Sequence, residues 1–123
     1  IEAPPENEFA EAVVQRIMSV DSGAITTSGS YRAWHERGGK KFSHTINPRT
    51  GFPADNELIS VTVYAKKAII ADAYDNALMA MGLAKAMEFV NNRKDMAAFF
   101  IYRDKNGAIV SATSKSFNAL LYP

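Results

Sequence analysis

Leu58-Ile59-Ser60-Val61-Thr62-Val63-Tyr64-Ala65 is followed, after two lysines, by Ala68-Ile69-Ile70-Ala71-Asp72-Ala73-Tyr74-Asp75-Asn76-Ala77-Leu78-Met79-Ala80-Met81 and then Gly82. In the first eight residues Leu58, Ser60, Thr62 and Tyr64 alternate with Ile59, Val61, Val63 and Ala65, which predicts a strand whose second, wholly aliphatic face is buried. The next fourteen are helix-forming in composition, with Ile69, Ala73, Ala77 and Ala80 on one stripe, and Gly82 is placed to end the helix. Residues 83–91 read as a second helix, with Met87 and Val90 available for packing.

Downstream, 97–102 and 108–112 flank Arg103-Asp104-Lys105-Asn106-Gly107, an Asn-Gly hairpin signature. Residues 116–121 close the chain as a short helix or an extended tail. Upstream, 24–28 reads as a short strand running into Gly29-Ser30, 31–36 as a second strand, Arg37-Gly38-Gly39-Lys40 as a hairpin turn and 41–45 as the antiparallel return. That hairpin is expected to carry His44 back toward Thr27-Ser28-Gly29. Residues 9–20 fit a helical face through Phe9, Val13, Ile17 and Val20, or a strand in their second half, and 1–7 read as a connection. Strands, two adjacent helices and strands again give an α+β fold, a mixed, largely antiparallel sheet with the two helices packed on it.

Composition narrows the function. The 123 residues are 47% hydrophobic and 22% charged, enough for one globular domain with a core. A net charge of +1, from 14 basic and 13 acidic residues, sets up no field that would draw nucleic acid or an anionic membrane. The lack of cysteine excludes disulfides, thiolate metal sites and cysteine nucleophiles. No apolar run approaches the roughly 20 residues that span a bilayer. Residues 1–20 show no export-signal pattern, although a mature chain starting at Ile1 would have lost one.

Three groups of residues suggest chemistry. In Ser43-His44-Thr45-Ile46-Asn47-Pro48-Arg49-Thr50-Gly51, Pro48 fixes its own φ, Asn47 is pushed toward extended backbone and Gly51 permits a turn, so a shaped polar loop is predicted. A histidine there can exchange a proton or bind an anionic phosphate. Thr26-Thr27-Ser28-Gly29-Ser30-Tyr31 concentrates hydroxyls around a glycine; it reads equally as a ligand loop and as a strand end rich in turn formers. Asp72 and Asn76, one helical turn apart, offer two oxygens that suit Mg²⁺, or else an N-terminal acid and an exposed amide. Asp72, flanked by Ile69, Ile70 and Ala73, is expected to be partly shielded, and Asp75 and Asp104 to be solvated. Tyr31 and Trp34 could stack on a planar ligand or pack across strands, while Met79, Met81 and Met87 read as core.

In this order and spacing the groups resemble the ApbE family of flavin transferases. Thr27-Ser28-Gly29-Ser30-Tyr31-Arg32 is similar to its T-S-G-[SD]-Y-R block, residues 43–51 to its [ST]-H-[IV]-[IV]-[DN]-P-x-T-G block, and Ser60-Val61-Thr62-Val63 with Ala71-Asp72-Ala73 to its next strand and helix start. The chain departs from the pattern at Asn76, where the family has a threonine metal ligand, and at Thr45, where it has an aliphatic residue. Members are much longer, and residues 1–123 correspond to the C-terminal portion of the domain.

The resemblance implies a Mg²⁺-dependent transfer of FMN from FAD onto a threonine hydroxyl of an acceptor flavoprotein. It implies flavin contacts from Thr27, Ser28, Gly29, Ser30, Tyr31, His44, Thr50 and Gly51, and metal contacts from Asp72 and Asn76. His44 would assist the acceptor hydroxyl or bind phosphate. The alternatives are a non-catalytic flavin-binding or structural module, and an FAD pyrophosphatase releasing FMN and AMP. Self-association or pairing with the missing N-terminal part is expected if the sheet is incomplete, as is a periplasmic or membrane-anchored location outside the inner membrane.

Overall fold

A computed structural model describes residues 1–5, 11, 13–31 and 34–123, with backbone alone at positions 34, 35 and 41. The strands are β1 (Ala24–Gly29), β2 (Trp34–Arg37), β3 (Lys40–Ser43), β4 (Leu58–Ala65), β5 (Met96–Arg103) and β6 (Ile109–Thr113). The helices are α1 (Ala68–Met81) and α2 (Leu83–Asn91), and a 3₁₀ turn covers Phe117–Leu120. Four strands form one sheet in the order β1-β4-β5-β6, each neighbouring pair antiparallel, and β2 and β3 form a separate ribbon. The expected hairpin turn is present, with Arg37 opposite Lys40. Phe9, Arg32 and the side chains of Trp34 and His35 lie outside what is described.

β4 is more deeply buried than its alternation predicts, because both faces of the sheet are covered. Val61, Val63 and Ala65 pack with Ala98 and Phe100 of β5 under Ala71, Leu78, Ala86 and Val90 of the two helices. The other face of β5, Ala97, Phe99 and Ile101, packs with Phe117 of the 3₁₀ turn and with Ile1, Met18 and Leu121. Phe99 and Phe117 meet with ring centroids 5.5 Å apart. Thr62 and Ser60 are therefore buried as well. A register irregularity between Leu58 and Ser60 moves Leu58 to the helix face and Ile59 to the other, the reverse of strict alternation.

α1 has the predicted limits but not the predicted inner face. Ala71, Asp75, Leu78 and Met79 point inward, whereas Ile69 is 75% exposed and Ala73 is exposed. An alanine-rich helix carries little contrast between faces, and Leu78 and Met79, the bulky groups, decide the orientation. Residues 13–20 form no continuous strand: Glu2 bridges Val14, Met18 bridges Leu121, and the Ser19 amide donates to the Leu120 carbonyl at 2.9 Å.

After α2, Arg93 stacks on Tyr74 and Phe89, 5.0 and 5.4 Å from their centroids, and grips Asp95 through two hydrogen bonds of 2.8 and 2.6 Å. The Arg93 bond holds the Asp95 carboxyl below its usual range. A depressed carboxyl stabilises the fold above its unfolded-state pKa, and that contribution is lost as pH falls through the lower folded value. Asp95→Asn is expected to lower Tm by under about 2 °C at pH 7, since exposed pairs contribute little, and the gap should close as the wild type is acidified. Thermal melts at both ends of the range check this.

Candidate functional site

Proline and glycine shape the loop after β3 as predicted, and backbone pairing closes it. The Asn47 amide donates to the Phe52 carbonyl at 2.8 Å and the Ala54 amide to the Thr45 carbonyl at 2.8 Å, with Ile46 bridged to Pro53. At the tip the Gly51 amide donates to the Asn47 carbonyl at 2.9 Å, and Gly51 takes φ of 73°, which a β-carbon would strain. The Asn47 Oδ1 accepts from the Arg49 amide and the Thr50 Oγ1 from the Phe52 amide, so both side chains hold the turn.

This loop faces the helices across a cleft of about 950 Å³. His44, Asn47 and Arg49 line one side, Asn76 and Ala77 of α1 the second, and α2 the third through Lys85, Glu88 and Phe89. The corner between the helices is tied to the start of β4: the Asn56 Nδ2 donates to the Met79 carbonyl and the Glu57 Oε1 accepts from the Leu83 amide at the α2 N-terminus. The cleft is thus framed by groups anchored to the sheet. Arg49 and Lys85 give it two cations against one carboxylate, Glu88, a balance that suits an anionic ligand with an aromatic part.

The hydroxyl block is split by the pleat of β1. Ser28, 7% exposed, points at α1 and its Oγ donates to the Asn76 Oδ1 at 3.1 Å. Thr27 lies on the opposite face, its hydroxyl 2.8 Å from that of Thr62. Ser30 spends its hydroxyl on the Ile59 carbonyl at 3.2 Å. Gly29 is approached by the protein's own Tyr31 ring, which a β-carbon would meet at 2.7 Å. Of the predicted site residues, His44 and Asn76 line the cleft; Thr27 to Tyr31, Thr50, Gly51 and Asp72 do not.

Two acids exchange the roles expected of them. Asp72 is exposed, because residue 72 falls beside the inward stripe of α1, while Asp75 is on that stripe and 2% exposed. Burial pushes the Asp75 carboxyl above the usual carboxylate range; the Thr26 hydroxyl and a backbone bond from Asn76 oppose this, and the Asp72 charge adds to it. The Thr26 Oγ1 is buried and meets no partner at full hydrogen-bond geometry, so its pull is weak. The Asn76 Nδ2 donates to the Asp75 Oδ1 at 2.8 Å. Asp104 is half-buried rather than solvated: its Oδ1 accepts the Asn106 and Ala108 amides and builds the β5–β6 turn. Met79 is core as expected, but Met81 also lines the cleft.

Mg²⁺ commonly takes one or two carboxylates and completes its shell with waters and substrate phosphates. The Asp72 carboxylate and the Asn76 carbonyl oxygen, one turn apart on a rigid helix, fit such a partial donor set. Among the described residues no group of three or more His, Asp or Glu gathers to hold a metal unaided. Sequence reasoning missed Lys85, Glu88, Phe89 and Asn92. The spacing of Lys85, Glu88 and Phe89 on α2 and of Asn92 just past its end puts them on one side, but a helix face carrying charged residues ordinarily meets only solvent.

The fold, an antiparallel sheet carrying two helices on one face, superposes on part of the solved flavin transferases. The apo flavinyl transferase ApbE of Pseudomonas stutzeri superposes with a TM-score of 0.74 at 36% identity, covering 87% of this chain and 33% of that one. The flavin transferase ApbE of Vibrio cholerae does so with a TM-score of 0.76 at 31% identity, covering 98% and 37%. The model of the ApbE family matches residues 1–100. The FAD:protein FMN transferase of Salmonella typhimurium is 43% identical over 107 residues, 87% of this chain and 29% of that protein, and its Escherichia coli counterpart 42% over 104 residues, 85% and 28%. The chain belongs to the ApbE family, and it spans less than a third of the length of these curated relatives.

Proposed function

We propose that residues 1–123 are the C-terminal portion of a flavin transferase domain that moves FMN from FAD onto a threonine hydroxyl of an acceptor flavoprotein. The observation that carries this reading is the cleft in which the His44–Arg49 loop faces Asn76 of α1 and Lys85 and Phe89 of α2. Arg49 and Lys85 attract the pyrophosphate, and Phe89 and Met81 give apolar surface for a ring. Ser28 anchors Asn76 from the sheet, so the donor oxygen is held before substrate arrives.

In the transfer the threonine oxygen bonds to the phosphorus of the FMN half, the bond from that phosphorus to the bridging oxygen breaks, and AMP leaves with the electron pair. His44, exposed and lining the cleft, takes the hydroxyl proton as the new bond forms. Asp72 and Asn76 would hold Mg²⁺, which when bound neutralises charge on the pyrophosphate. The placement outside the inner membrane and the missing opposite wall of the site belong to the same proposal.

The test is to incubate the full-length protein with FAD, Mg²⁺ and an acceptor flavoprotein and to weigh the acceptor. A mass gain equal to FMN, with AMP released in equal amount, is expected. FMN and AMP formed equally well without acceptor would instead establish hydrolysis, and bound FAD without either product would establish a binding module.

A further inference from the structure

Asp75 occupies a place on the inward stripe of α1 that an alkyl side chain would fill at less cost, since a carboxylate loses water there. What it gains is a hydrogen bond from the adjacent side chain, the Asn76 Nδ2, at 2.8 Å. The same Nδ2 donates to the backbone carbonyl of Asp72 at 3.1 Å. A carbonyl oxygen can only accept, and so can an ionised carboxylate; the flipped amide would set the Asn76 Oδ1 against both. The two acceptors therefore decide which end of the amide faces the helix. They leave Oδ1 to accept from the Ser28 Oγ of β1 at 3.1 Å, and Asn76 is also a residue of the cleft lining. An amide oxygen has two acceptor positions, and Ser28 fills one.

We propose that Asp75 is a positioning residue that locks the Asn76 amide with its NH₂ on the helix and its carbonyl oxygen on the Ser28 side, so that an asparagine serves there as an oxygen donor to a divalent cation. The proposal rests on the metal role given to Asn76 above. Without Asp75 the NH₂ end keeps only its 3.1 Å bond to the Asp72 carbonyl, the Ser28 hydroxyl can donate or accept, and the flipped state, which turns NH₂ toward the cation, becomes populated. Partners that orient a metal ligand in this way contribute to affinity without touching the ion.

A double-mutant comparison tests this. Asn76→Thr replaces the amide by a hydroxyl, whose single oxygen has no flipped state for Asp75 to prevent. Mg²⁺ is titrated calorimetrically into the FAD-loaded full-length protein without acceptor. Asp75→Ala is expected to weaken Mg²⁺ binding by about 10- to 100-fold when residue 76 is Asn, and to change it by less than about twofold when residue 76 is Thr, because neither variant then differs in ligand orientation. Asp75→Asn, which keeps the volume and an acceptor oxygen, is expected to restore binding in the Asn76 protein. Equal losses in both backgrounds, or an Asp75→Asn protein as weak as Asp75→Ala, would overturn the proposal in favour of a general packing role.

A metal-free readout separates this from the metal reading itself. In protein labelled with ¹⁵N-asparagine, the side-chain amide pair that disappears in Asn76→Thr belongs to residue 76, and it should shift on Asp75→Ala. If it does not move, Asp75 does not orient it and the proposal fails. A wild-type protein that binds no Mg²⁺ while this pair does shift would overturn the metal role of Asn76, and with it the donor half of the proposal, while supporting the orientation half.

Discussion

Asp72→Ala is expected to cut FMN transfer by more than about 100-fold, beyond the usual cost of disturbing a mere partner of a metal ligand, and to flatten the Mg²⁺ dependence of what remains. The side chain is exposed on α1, so its removal opens no cavity. Alanine is also the better helix former, which leaves the fold as stable as before or slightly more so. Loss of activity with an unchanged melting temperature therefore reports on the proposed metal site and not on folding. Asn76 alone cannot replace the lost donor, because it is neutral and one of its acceptor positions is already taken by Ser28. The measurement is acceptor mass gain against Mg²⁺ concentration for both proteins. A variant whose Mg²⁺ titration overlays the wild type would remove Asp72 from the site.

The same helix shows where sequence reading succeeds and where it stops. The limits of α1 and α2 were legible because Gly82 separates two stretches of good helix formers, a local property. The face of α1 was not, because alanines at 71, 73, 77 and 80 look alike and the inward position 75 carries an acid. Leu58 and Ile59 exchange faces at an irregularity that no local pattern announces. The turn at 47–51 could be read from Pro48 and Gly51. Its partner across the cleft could not, since that depends on Glu57 and Asn56 fixing the helix corner, a contact 23 to 26 residues away in sequence. The link from Ser28 to Asn76 spans 48 residues and exists only because β1 pairs with β4 beneath α1.

Phe100→Ala is expected to cost about 3–5 kcal/mol, a large part of the roughly 5–15 kcal/mol that holds a domain folded. Phe100 is wholly buried on the helix face of β5, an inner strand of the sheet, and packs in the cluster that includes Val61, Leu78 and Val90. Removing the ring takes away the surface on which both helices rest, and the surrounding strands are too constrained by their ladders to close the space. The cleft depends on those helices for two of its three sides, so transfer activity should fall well below the melting midpoint although Phe100 lines no part of it. Phe99→Ala supplies the contrast. Phe99 lies on the opposite face against Phe117, and its loss should cost similar stability while leaving α1 and α2 seated and the cleft working at low temperature. Urea midpoints and FMN transfer measured on both variants of the full-length protein separate the two faces. A Phe100→Ala protein destabilised by less than about 1 kcal/mol would mean that the helices are held chiefly by contacts outside this core.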